Sequence, residues 1–192
     1  AWTDQGLSFD IAAHLGSLIA VGVYFRKDIN RFCYSWFPNK RNDMGSGDKL
    51  LSIHLIVATL PIVLFGLVFH DFIAAELRSV YVIGVMTIVF GVFLWASDVI
   101  GSKSRLLDGM NWRDAVLIGV IQALALIPGT SRSGVTISVA LLLGFSRDSA
   151  VRFSFLLGIP TILAAVVYEI GANSFIFDTG QWLMLGAMTV LS

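Results

Sequence analysis

Charge is scarce in this sequence. Of 192 residues, 13 are Lys or Arg and 13 are Asp or Glu, together 14%, against 56% hydrophobic. A soluble domain carries about a quarter of its residues charged, so the shortage excludes an ordinary soluble enzyme. The signs balance to a formal net charge of zero and no basic tract stands out, which leaves nothing to attract nucleic acid. Cysteine is scarcer still. Cys33 stands alone, so no intrachain disulfide can form, and no Cys/His cluster suggests zinc. Cys33 reads as a small apolar residue. The residues given show no signal-peptide pattern, initiator methionine, heptad repeat or low-complexity tract. The chain opens on AWTDQG and closes on LMLGAMTVLS, inside an apolar segment.

What fills the chain instead is a series of apolar runs, several approaching the ~20 residues that cross a bilayer. They make it an integral membrane protein. Spans are expected at Phe9–Phe25, Leu50–Phe69, Val80–Ala96 and Phe153–Tyr168, with Trp182 opening a further segment. Pro61, inside the second span, is tolerable where a neighbour or a water satisfies the carbonyl it frees. The polar stretches from Arg26 to Lys49 and from Asp98 to Arg113 hold most of the cations, so the positive-inside rule places them in the cytoplasm and the loop around Arg78 outside. Trp36, Trp95, Trp112 and Trp182 fall near span ends, as an interfacial aromatic belt predicts.

One region breaks the pattern. In ALALIPGTSRSGVTISVALLLG (Ala123–Gly144) an arginine, three hydroxyls and two glycines sit between apolar runs. The flanking segments, Ala115–Ile127 and Val135–Phe145, are both too short to cross. Charge does not distinguish two full crossings from a re-entrant pair, since Arg147 and Arg152 fall inside either way. Length favours half-spans meeting at a buried turn. A weak echo between Phe9–Phe25 and Phe153–Glu169, in opposite orientations by the charge rule, is what an inverted repeat would leave. The expected fold is therefore all-α: a polytopic membrane helix bundle with an inverted-topology repeat and a re-entrant helix hairpin at about 115–146. Residues 1–192 read as a single transmembrane domain, cut at both ends from something longer, with the counterpart of Ala115–Arg152 expected before residue 9.

The chemistry of the turn points to an anion. Gly129 and Gly134 permit tight turns and close backbone approach. Thr130, Ser131 and Ser133 offer hydroxyls. A helix starting near Val135 aims its first amides back into the turn, with Ser133 or Thr136 as its cap. Arg132 adds a fork that can hold two phosphate oxygens at once. No glycine-lysine-serine/threonine pattern is present, so this is not a nucleotide P-loop. The competing reading is an ordinary interhelical loop with a snorkelling arginine.

The stretch QALALIPGTSRSGVTISVALLLGFSRDSAVRFSFLLGIPTILAA (Gln122–Ala165) closely resembles the second signature of the bacitracin-resistance (BacA/UppP) family of bacterial undecaprenyl-diphosphate phosphatases. FDIAAHLGSLIAVGVYFRKDI resembles the segment just after that family's first signature, and a looser likeness covers nearly all of the chain. The resemblance implies hydrolysis of undecaprenyl diphosphate to undecaprenyl phosphate, a carrier of cell-wall precursors. It also implies inverted repeats with two re-entrant hairpins, a site open to the periplasm, and a multi-pass protein of the bacterial inner membrane. Carried over by position, Arg132 binds the diphosphate, with Ser131, Ser133 and Thr136 as donors in the same catalytic group. Gly129, Thr130, Gly134 and Gln122 shape or line the binding site. The family's first signature, a glutamate-rich helix followed by a serine turn and a histidine, has no match here. It supplies the proposed nucleophile or acid/base groups, so the 192-residue piece is expected to be inactive alone. It would also supply most ligands of an implied divalent cation, Mg or Ca.

Other polar residues read as structural. His14 and His54 are expected to be packed, His70 solvated, Glu169 an interfacial carboxylate with a metal role as its alternative, and Asp98 solvated or paired with a nearby cation. The expected partners are a polyprenyl diphosphate lipid and the bilayer, with a homodimer left open. The alternative function is a transporter or flippase for an anionic lipid or solute, which inverted repeats and a buried anion site would serve equally well.

Overall fold

A computed structural model describes residues 7–37, 45–77 and 79–172. Regular structure there is helical throughout. The helices are α1 (Leu7–Tyr24), α2 (Arg26–Ser35), α3 (Gly45–Glu76), α4 (Val80–Ile100), α5 (Trp112–Gln122), α6 (Arg132–Leu142) and α7 (Arg147–Ala172), with 3-10 turns at Leu107–Gly109 and Ala123–Leu126. Three of them are long and apolar enough to cross a membrane, over Gly47–Phe69, Val80–Ile100 and Arg147–Tyr168. The protein is a multi-pass membrane protein. Arg78 lies outside the described residues, as do Lys40, Arg41, Trp182 and the side chains of His14, His70 and Glu169.

Two polar stretches between the expected spans are helical. The basic segment after α1 contains α2, whose residues Arg26, Lys27, Asp28 and Arg31 alternate with Ile29 and Phe32. Its charged face holds it at one end of the bundle: Asp28 accepts from Arg31 at 2.8 Å and from Arg152 of α7 at 2.5 Å. The SRDSAVR segment is the first turns of α7, and Arg147 makes a two-pronged contact with Asp98 at the end of α4, at 2.6 and 2.7 Å. Just after α2, Trp36 Nε1 donates to Ser52 Oγ near the start of α3. The ends of α1 and α4 thus meet the beginnings of α3 and α7, so α1 and α7 run in opposite directions as the charge rule requires. The exposed faces of Trp36, Trp95 and Trp112 fit the aromatic belt, and His54 is buried.

The hairpin is closed at that same end. Arg105 N donates to Gly144 O at 2.9 Å and Ser146 N donates to Arg105 O at 2.8 Å, a short parallel bridge joining the strand of chain before α5 to the one after α6. The Arg105 side chain completes the clamp. It donates to Leu143 O and Gly109 O, pairs with Asp114 at 2.6 Å, and lies over the Phe145 ring at 4.3 Å. Asp114 in turn accepts from Asn111 N while Asn111 caps α5, a reciprocal capping box. Each helical arm has 11 residues, about 16 Å long against a hydrocarbon core of about 30 Å. Neither α-helical arm is long enough to cross alone.

The hairpin packs by backbone contact at glycines. Gly119 of α5 lies so close to α3 that a Cβ would fall 2.5 Å from Ala58 O. Pro61 leaves the Val57 carbonyl without its helical donor, and one residue on, Gln122 Nε2 reaches Ala58 O at 3.4 Å. Buried Val135, Val139, Ile118, Phe153, Leu156 and Leu157 fill the space between α5, α6 and α7. Arg105→Met should therefore loosen the base of the hairpin. Stripping a partner from a buried pair costs about 3–5 kcal/mol. Arg105 keeps 33% of its side chain exposed, so the expected loss is about 2–3 kcal/mol. Thermal unfolding of the solubilised protein checks it, and an unchanged transition would show that the clamp holds nothing.

Candidate anion site at the hairpin tip

The tip is built by a succession of local rules. After Gln122 the helix tightens into the 3-10 turn Ala123–Leu126 and leaves it extended at Ile127. Gly129 then takes φ +89, which a side chain would resist, and its Cα lies against α4, where a Cβ would fall 2.4 Å from Ile83 O. Thr87 Oγ1 of α4 donates to Gly129 O at 3.1 Å. Thr130 N bonds Ile127 O, so part of this non-helical backbone is satisfied by protein. The tip lies at the level of Ile83 and Thr87, just inside the Val80 end of α4, opposite the end where Arg105 closes the hairpin.

Helix α6 begins earlier than its composition suggests, at Arg132 rather than near Val135, and its cap is Ser131 rather than Ser133 or Thr136. Ser131 Oγ accepts from Gly134 N at 3.2 Å and Ser131 O from Val135 N at 2.9 Å. The reason is Gly134: a Cβ there would meet the Ser131 side chain at 3.2 Å, so glycine lets the cap close. As the first two helical residues, Arg132 and Ser133 have amides with no carbonyl of the preceding turn to bond, at the positive end of the helix.

Arg132 is half-buried and turns toward α7. Its guanidinium lies on Gly158, where a Cβ would fall 2.6 Å from Nη2 and 3.1 Å from Nη1. It makes no ion pair among the described residues. Nη1 is sealed from solvent without an acceptor, and buried Thr130 Oγ1 and Gln122 Oε1 also lack a hydrogen-bond partner. These are the only such side-chain atoms among the described residues, and all three belong to residues singled out from the sequence. Ser133 is half-buried and Ser131 exposed, with their hydroxyls 3.5 Å apart.

Thr136 sits elsewhere. It is fully buried, with Oγ1 2.6 Å from Ser154 Oγ of α7 and 3.1 Å from the carbonyls of Arg132 and Ser133. Thr136 ties the first turn of α6 to α7 and does not face the tip. Gln122 bridges α5 to α3 with one end and leaves the other unpartnered. Gly158, Ser154 and Thr87 escaped sequence reading. Glycine, serine and threonine are ordinary in membrane helices, and nothing local marks these three.

The donors gathered here are guanidinium, hydroxyl and amide groups, which suit an anion and not a cation. Among the described residues no group of three or more His, Cys, Asp or Glu could hold a metal ion. The fold and the tip define a class: a polytopic membrane protein with a candidate anion site on a broken-helix hairpin. Sequence comparison narrows it. The profile of the bacitracin resistance protein BacA family matches residues 1–192. Undecaprenyl-diphosphatase 1 of Pseudoalteromonas translucida is 41% identical over 194 residues, covering 100% of this chain and 73% of the relative. The undecaprenyl-diphosphatase of Thioalkalivibrio sulfidiphilus is 47% identical over 190 residues, 97% of this chain and 71% of the relative. That of Chromohalobacter salexigens is 49% identical over 164 residues, 85% of this chain and 62% of the relative. The chain belongs to the bacitracin resistance protein BacA family.

Gly129→Ala should displace the tip from α4. A left-handed residue with a Cβ costs about 1–2 kcal/mol, and the collision with Ile83 O adds to it. The expected result is a lower melting temperature and faster amide exchange over residues 127–133. Exchange as slow as in the wild type would mean that the contact is dispensable.

Proposed function

We infer that this protein hydrolyses undecaprenyl diphosphate to undecaprenyl phosphate and inorganic phosphate, recycling the lipid carrier of cell-wall synthesis. The observation that carries the reading is the orphaned Arg132 guanidinium beside the open amides of α6 and the unpartnered Thr130, in a family whose named relatives are undecaprenyl-diphosphatases. An ion sunk in the bilayer without a partner costs several kcal/mol, which a bound diphosphate would offset.

In the net reaction an oxygen from water replaces the bridging oxygen on the terminal phosphorus, whichever of a hydroxyl or water attacks first, and the bond to the bridging oxygen breaks. The bridging oxygen leaves on the lipid phosphate, and the water's oxygen leaves with inorganic phosphate. The chain's part is to hold and neutralise. Arg132 grips two oxygens of the terminal phosphoryl group, and the amides of Arg132 and Ser133 with the hydroxyls of Thr130, Ser131 and Ser133 share the rest. Such donors, fixed before the substrate arrives, stabilise charge that grows as the bond breaks. Thr136 positions this turn. The isoprenoid tail lies among the apolar faces of the helices. Activation of the water is assigned to the family's first signature. A divalent cation, Mg or Ca, is proposed as a further neutraliser, held by groups outside the described residues.

The protein is assigned to the bacterial inner membrane. For a homodimer, the outward face of α4, where a Cβ at Gly84 or Gly91 would meet nothing within 4 Å among the described residues, offers a surface. A carrier for the same lipid would use a similar anion site, but the relatives' names favour hydrolysis. Arg132→Lys in the full-length protein should lower kcat/KM by about 10²–10³-fold, because a point charge cannot reproduce a two-pronged contact. Release of inorganic phosphate from undecaprenyl diphosphate measures it. A wild-type rate would remove Arg132 from the reaction, and lipid movement without phosphate release would identify a carrier.

A further inference from the structure

We infer that Gly158 is a positioning residue for the reaction: its missing side chain forms the seat that aims the Arg132 guanidinium. This rests on the reading that Arg132 holds the terminal phosphate. Gly158 is buried midway along α7, and the three heavy atoms nearest a Cβ there are all Arg132's: Nη2 at 2.6 Å, Nη1 at 3.1 Å and Cζ at 3.2 Å. The other tight glycines of the hairpin differ in kind. At Gly119 and Gly129 the obstacles are backbone atoms of Ala58 and Ile83, so those glycines let whole elements approach. At Gly158 the obstacle is the far end of a flexible side chain, and a methyl would move that end and nothing else.

One turn earlier on the same face of α7, Ser154 holds the other end of the arginine. Its hydroxyl lies 2.6 Å from Thr136 Oγ1, which donates to the carbonyls of Arg132 and Ser133. The backbone of residue 132 is therefore pinned through Ser154 and Thr136, and its guanidinium rests on Gly158. With both ends located, the fork is set before substrate arrives. A methyl at 158 would swing it by about an ångström, a displacement that can cost about 10²-fold in rate.

The consequence separates positioning from packing. Alanine is a better helix former than glycine, so Gly158→Ala should melt at or above the wild-type temperature. Its kcat/KM for undecaprenyl diphosphate should fall by about 10²-fold. In an Arg132→Ala background the same change should alter the rate by less than about 2-fold, since the group it displaces is gone. Should Gly158→Ala fail to accumulate in membranes, the Arg132→Ala/Gly158→Ala protein should accumulate, because the collision is relieved. Continued failure of the double variant would overturn the seat. So would a folded Gly158→Ala enzyme within about 3-fold of wild type, or a full 10²-fold loss in the Arg132→Ala background. Arg132→Lys keeps the two ideas apart. If it runs at the wild-type rate, the phosphate role of Arg132 fails. If it is impaired while Gly158→Ala is active, only the seat fails.

Discussion

A guanidinium held inside a membrane protein, with no anion to meet it among the described residues, is the constraint around which the hairpin is arranged. Burial removes water from Arg132, and no carboxylate replaces it among the described residues. An unpaired ion in such a place is tolerated only where its surroundings are imposed by the rest of the fold. Here they are imposed from three sides. Gly129 and Thr87 press the tip onto α4, Ser131 and Gly134 start α6 at the arginine itself, and Gly158 of α7 leaves room for the side chain.

The same hairpin carries a second arginine that shows the contrast. Arg105 closes the base and spends its donors on Asp114, Leu143 O and Gly109 O, with Phe145 beneath its plane. Every group around it is answered by protein, so it holds structure and offers nothing to a ligand. Arg132 is built into the tip by comparable care and left unanswered. A satisfied cation at one end keeps the loop closed, and at the other end Arg132 keeps a buried donor without a protein acceptor. The stability that the base supplies offsets the cost of the tip.

This division also explains which hydroxyls matter. Ser131 and Ser133 lie at the open start of α6. Thr136, one turn on, points into the contact with Ser154. All three belong to the same short polar motif, yet Ser131 caps the helix from outside it, whereas Thr136 lies one turn in, where α7 packs against α6. Within six residues, geometry thus leaves some hydroxyls at the open tip and commits another to anchoring.

Much of this was legible in the residues themselves. Apolar length marked the spans, the excess of Lys and Arg marked one end, and the short arms around PGTSRSG marked a hairpin, because each of these is a property of neighbouring residues in contact with lipid or water. The donor inventory of the turn was equally local. The helix in the Arg26–Ser35 segment was obscured because its charges read as a loop until Asp28 finds Arg152, 124 residues away. The start of α6 depended on whether Ser131 or Ser133 won the cap. Gly158 and Ser154 look like any small residues of a membrane helix, and only the packing of α7 against α6 turns one into a support for Arg132 and the other into a tie. Composition determined what the chain could hold and where it would lie. Contacts between distant segments decided which donors were left without a protein partner, since a hydrogen bond is consumed or spared only when its partner has been brought within reach.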